Sequence, residues 1–233
     1  MSKSHYDATA TLTLKKITPV IKALFGELDD PGKVAESAEL REVYLNYIAE
    51  DTIICWDVQG LADLCKSLGL PPKTNVCDYY GTLKEALALL GTHFLGEASN
   101  EEPWSVLVRS VLSDYSGDTA DLKLVFELAK FLDDGHGLQS FLMEGCWHSR
   151  KPRMGEFGGD FVFVGRNFSQ VQSTSDGGAA ASNLDKALAK PAGAQQEAAS
   201  LVIAQVRELL QGITDEAKRT EVLKLLTTAL STW

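Results

Sequence analysis

Apolar positions along this chain recur with two different periods, and the changes of period mark out its parts. From Ala8 to Leu14, small or apolar side chains alternate with Thr9, Thr11 and Thr13. A period of two places them on one covered face, so a strand is predicted at 8–14. The period then lengthens. Thr18 followed by Pro19 reads as a helix cap with proline at the first helical position, and Val20, Ile21, Leu24 and Leu28 form a stripe, giving a helix over 18–28. Leu40, Val43, Tyr44, Tyr47 and Ile48 sit three and four apart after Ser37, which predicts a second helix at 38–50.

Asp57 caps a third stripe, Val58, Leu61, Leu64, Cys65 and Leu68, which Gly69 and Pro71 end. Thr82 to Glu85 matches a capping box and opens a helix reaching Leu95. Ser99 to Glu102 matches again ahead of Trp104, Leu107, Val108, Val111, Leu112 and Tyr115. The sixth helix, at 119–134, carries Leu122, Val125, Phe126, Ala129 and Leu132, with Leu124, Leu128 and Phe131 as a second stripe. It should therefore be the most buried.

After Gly135-His136-Gly137 the pattern shortens again. Positions 138–149 and 160–171 are rich in Phe, Val, Leu and Trp and flank Pro152, Gly155, Gly158 and Gly159, which predicts a hairpin with a long loop. Residues 172–193 are dominated by Ala, Gly and Ser and read as a linker. Two amphipathic helices follow, one with Val202, Val206, Leu209, Leu210 and Ile213, the other with Val222, Leu225, Leu226, Ala229 and Trp233. Gly212 and Thr214-Asp215-Glu216 separate and cap them.

The expected fold is α+β and mainly helical: a helical bundle or short stack with a small antiparallel β-sheet, plus a C-terminal helical hairpin. The expected organisation is a main domain over 1–171, a linker over 172–193 and the helical hairpin over 194–233. Two helices with one stripe each cannot hide both stripes alone, so the terminal pair must dock on the main domain or meet another copy. Val206, Leu209, Leu210, Leu225, Leu226 and Trp233 are the residues expected to carry self-association.

Composition narrows the functions. With 22 Lys and Arg against 32 Asp and Glu the net charge is −10, and residues 1–100 carry 9 basic against 14 acidic side chains, half of that excess. Spread acidity excludes a whole-surface phosphate binder, so any nucleic-acid role must be local. The local candidate is the loop at 150–160. Arg150, Lys151 and Arg153 cluster there, flanked by Trp147, Phe157 and, on the return strand, Arg166, a basic and aromatic set suited to a phosphate backbone or an acidic surface. Solvated cations balancing the chain's own carboxylates are the plainer account of the same residues.

Catalytic patterns are scarce. No GxxxxGK[ST], GxGxxG, HExxH or GxSxG occurs. Cys146 and His148 share a strand face, with Asp133, Asp134 and His136 upstream, but neighbours two apart lie about 7 Å apart at the backbone, an awkward span for a nucleophile and its base. Cys55, Cys65 and Cys77 lack the close ligand pairs of a structural zinc site. No cofactor or metal is implied.

No 20-residue apolar run is present, and Met1-Ser2-Lys3-Ser4-His5 lacks a basic-then-apolar signal, so a cytoplasmic protein without a membrane partner is expected. The leading reading is a non-enzymatic interaction or regulatory protein that recognises a macromolecular partner by its surface and self-associates through its C-terminal helices. The alternatives are a nucleic-acid or nucleoprotein component using 150–166, and a hydrolase or transferase with a site near Asp134, His136, Cys146 and His148.

Overall fold

The structure, a computed structural model, describes residues 4–26, 28–29, 40–45, 56–73, 78–115, 120–149, 157–188 and 195–231. The chain forms two compact units, Thr9–Phe141 and Met1–Ala8 with Leu142–Trp233. Among the described residues there are eight α-helices and a small sheet, so the architecture is α+β and mainly helical.

In the unit 9–141 the strand order is β2-β3-β1, with β1 at Ser4–Leu14, β2 at Leu28–Asp29 and β3 at Arg41–Leu45. Period two in β1 sends Leu12 and Leu14 into the core with no exposure, while the intervening threonines stay at its margin. Strand β3 corrects the helix expected at 38–50 wherever that stretch is described. Val43 and Leu45 are buried while Glu42 and Tyr44 are exposed, a clean alternation. Antiparallel pairing puts Val43 opposite Leu12 and Tyr44 opposite Thr11. Leu40, Val43 and Tyr44 share one face of a helix but fall on both faces of a strand; pairing with β1 overrides the helical period, burying Val43 and leaving Leu40 and Tyr44 exposed.

Five helices pack in this unit: α1 (Pro19–Phe25), α2 (Val58–Ser67), α3 (Tyr79–Leu95), α4 (Glu102–Asp114) and α5 (Leu122–Phe131). Thr18 Oγ1 accepts from Ile21 N, and Asp57 Oδ1 accepts from Gly60 N at 2.8 Å, so these two caps lie where the sequence places them. Helix α3 is capped four residues earlier than expected, at Asp78 instead of Thr82. Asp78 Oδ1 accepts from Gly81 N at 2.9 Å, whereas the Thr82 hydroxyl is buried without a hydrogen-bond partner. Glu101 likewise makes no side-chain cap for α4, and Gly96–Asn100 forms a 3-10 turn ahead of it. The core centres on α5, whose Phe126, Leu128 and Ala129 are fully covered, as its two stripes require.

The second unit holds β4 (Ser140–Ser149), β5 (Phe157–Gly165) and β6 (Ser169–Ser173), in the order β1-β4-β5-β6. Strands β5 and β6 form a second, tight hairpin that the sequence pattern did not separate, with Val164 opposite Ser169. Helix α6 (Thr174–Leu188) occupies most of the segment expected as a linker. Its start explains this, because Ser173 Oγ accepts from Asp176 N at 3.2 Å and donates to Asp176 Oδ2 at 2.7 Å. That closed cap, with alanines behind it, outweighs the helix cost of Gly177 and Gly178. Helices α7 (Gln195–Gln211) and α8 (Glu216–Ser231) follow, as the C-terminal periodicity predicts.

Candidate interaction surface

Helix α8 stands out, because none of its residues is buried and all but Arg219 are exposed. At 100° per residue, Val222, Leu223, Leu225, Leu226, Ala229 and Leu230 fall within an arc of about 160°, one continuous apolar face. On it Leu230 is 72% exposed, Leu225 62% and Leu223 50%. Val202, Ile203 and Leu209 of α7 are open as well, while Val206 and Leu210 are half-buried and Ala198 is covered. Of the residues expected to carry self-association, Leu209, Leu225 and Leu226 are thus exposed, and Trp233 lies outside the described residues. The sequence reading missed Leu223, Leu230 and Ile203. The seven-residue interval from Leu223 to Leu230 was the available signal.

The start of α8 is held firmly although its face is open. Between α7 and α8, Gly212 O accepts from Ser169 N at 2.8 Å, and Asn167 O accepts from Thr214 N at 3.0 Å. Lys218 Nζ donates to Asn167 Oδ1 at 2.7 Å, and Phe168 bridges Ile213. Asp215 Oδ1 accepts from Ala217 N and Lys218 N and so caps the helix, while Arg219 donates twice to Ile213 O. The elbow between α7 and α8 is therefore stitched to the turn between β5 and β6. Gly212 is required there, since a Cβ would run into the Phe168 ring and the Ser169 carbonyl.

Of the basic-loop set, Trp147, Phe157 and Arg166 lie within the described residues. Arg150, Lys151 and Arg153 lie outside the described residues. Trp147 packs over Gly158, and the exposed Phe157 stacks on His148 with ring centroids 6.5 Å apart. Arg166, by contrast, follows the other end of β5, nine residues and about 30 Å along the strand from Phe157. Its carbonyl accepts from Thr214 Oγ1, so its backbone belongs to the elbow.

Of the residues weighed for catalysis, His136, Asp134 and His148 have side-chain hydrogen bonds within the chain. His136 has no exposure, and both ring nitrogens are occupied: Nε2 donates to Ala129 O and Nδ1 accepts from Leu138 N, each at 2.9 Å. With Asp133 and Asp134 it forms a group whose ligand atoms lie within 4.8 Å of one another. Both partners are backbone groups, so the imidazole bridges the end of α5 to the segment that leads into β4. Asp134 Oδ2 accepts from Val20 N at the start of α1. His148 Nε2 lies 3.1 Å from Asp7 Oδ2, and Cys146 is exposed on the same strand. Nearby, the Tyr6 hydroxyl donates to Asp160 Oδ1 at 2.8 Å, and a side chain on Gly145 would occupy that position. Burial, then that hydrogen bond and the Asp160 charge, push the Tyr6 phenol up to about 12. An open cleft of about 390 Å³ lies beside this pair, between Gly145, Gly159, Asp160 and the first turn of α6.

Among the described residues no helix is long and apolar enough to cross a membrane. Comparison with family models, with curated proteins and with solved structures finds no match for this chain.

Proposed function

We propose that this protein is a non-enzymatic interaction protein that recognises a macromolecular partner through the apolar face of α7 and α8. The observation that carries the reading is a helix of 16 residues with no buried side chain. Such a helix is marginal in water, and a contiguous exposed apolar face on a soluble chain marks a binding surface. Its support from the elbow fits the same role, because a surface held on a fixed mount loses less conformational entropy on binding. The exposed free thiol of Cys146 favours a reducing compartment, and we place the protein in the cytoplasm.

Hydrogen exchange on the full chain at high dilution tests the proposal. Amides of α8 that exchange much faster than those of the core helix α3 support a face awaiting its partner. Protection equal to that of α3 in the dilute monomer would mean that the face packs within its own chain, and the reading would fall.

A further inference from the structure

Resting on that reading, we infer that the partner covering α8 is a second copy of the same chain, seated apolar face to apolar face about a two-fold axis. Three observations single out this occupant. The first is area. Val202, Ile203, Leu209, Leu223, Leu225 and Leu230 are each 44 to 72% exposed, and with Val222 and Leu226 they offer on the order of 800 Å² of apolar surface, the share each partner gives to a stable interface.

The second is charge. The whole chain carries −10, but residues 195–231 hold four cations (Arg207, Lys218, Arg219, Lys224) against five carboxylates, a net of −1. Two copies meeting through this region escape most of the like-charge repulsion that the chain's net charge of −10 imposes on average. A strongly basic or strongly acidic partner would find no complementary field here.

The third is self-complementarity. In a two-fold interface the same patch meets itself, so it must contain its own complement. Helix α8 meets that requirement, because its charges, Glu216, Lys218, Arg219, Glu221 and Lys224, are mixed in sign and confined to its first nine residues. The remaining stretch, Leu225–Ser231, is uncharged and supplies the dry centre. The elbow at Gly212 fixes the direction in which each copy presents the helix, so both present it alike.

Sedimentation of the full chain over a range of concentrations, with hydrogen exchange on the same samples, tests the inference. The wild type is expected to sediment as a dimer whose α8 protection rises with concentration. The Leu226→Glu, Leu230→Glu double variant is expected to be monomeric, with α8 unprotected and α3 protected as before. Intact α3 in the variant separates a lost interface from a lost fold. A wild type that stays monomeric with α8 unprotected overturns self-pairing and leaves a recognition surface for a different partner. A monomer with α8 protected overturns both readings. A dimer that survives the double substitution overturns the placement of the interface on α8.

Discussion

The Phe168 ring lies directly against the backbone of Gly212, so the turn between two strands meets the turn between two helices at a position with no room for a second side chain. Gly212→Val should break that contact, because the new atoms meet both the ring and the Ser169 carbonyl, and a backbone carbonyl cannot move aside cheaply. A loss of about 1 to 3 kcal/mol is expected from the forced shift. Denaturant unfolding measures it, and an unchanged midpoint would show that the elbow is not fastened.

In the unit 9–141, Leu107 is 7% exposed on α4, beside Trp104 and Val111. Leu107→Ala should cost about 2 to 5 kcal/mol through lost burial and the cavity left behind. Gly91→Ala should also destabilise, since its Cβ would enter the Trp104 indole, which meets Phe131 edge-on at 5.7 Å on its other contact. Urea unfolding of both variants checks this, and a change below about 0.5 kcal/mol for Leu107→Ala would place that stripe in water.

The Tyr6 phenol, raised from its ordinary 10.0 to about 12, makes stability fall at high pH. Below pH 10 both folded and unfolded chains keep the proton. Between 10 and 12 the unfolded chain loses it first and is favoured, so the contribution of this group drains away across that window. Tyr6→Phe removes the group. Stability measured at a series of pH values should therefore decline less steeply from 10 to 12 in the variant than in the wild type, and parallel curves would contradict the assignment.

Thiol chemistry should separate the two described cysteines. Cys65 is buried beneath α3, 3.7 Å from Ala86 O, and burial pushes its thiol up to about 11, whereas Cys146 is exposed. Alkylation of the native protein at neutral pH, read by peptide mass spectrometry, should label Cys146 promptly and Cys65 only under denaturing conditions. Comparable rates would mean that the unit around Cys65 opens readily.

Residues whose fate depends on local pattern were legible in the sequence. Trp104, Leu107, Val111, Phe126 and Leu128 lie on stripes of helical period, and all are buried. Thr18, Asp57 and Asp215 cap the helices that follow them, because capping is settled within three residues of chain. What depended on distant partners was not legible. Val43 became a strand residue only because Leu12 lies opposite it, 31 positions earlier in the sequence. Helix α6 hid behind a small-residue composition that its Ser173 cap overrides. At the candidate surface the sequence identified Leu225 and Leu226, but the elbow that presents them joins residues 166–169 to 212–218, and no periodicity reports such a pairing.

The division of the chain has a consequence for the order of folding. Residues 1–8 belong to the same compact unit as 142–233, so the unit 9–141 interrupts the other in sequence. On a ribosome, residues 9–141 emerge with every partner they need, and helical contacts of short range let them close early. The first half of β1 has no such luck. Its neighbour in the sheet, β4, ends only at Ser149, and Tyr6 must wait for Asp160, 154 positions later, so until β4 emerges the start of the strand is an open edge. From the closing of the unit 9–141 until β4 and β5 have emerged, the chain thus displays an unpaired strand, and that interval is when a chaperone would have something to hold.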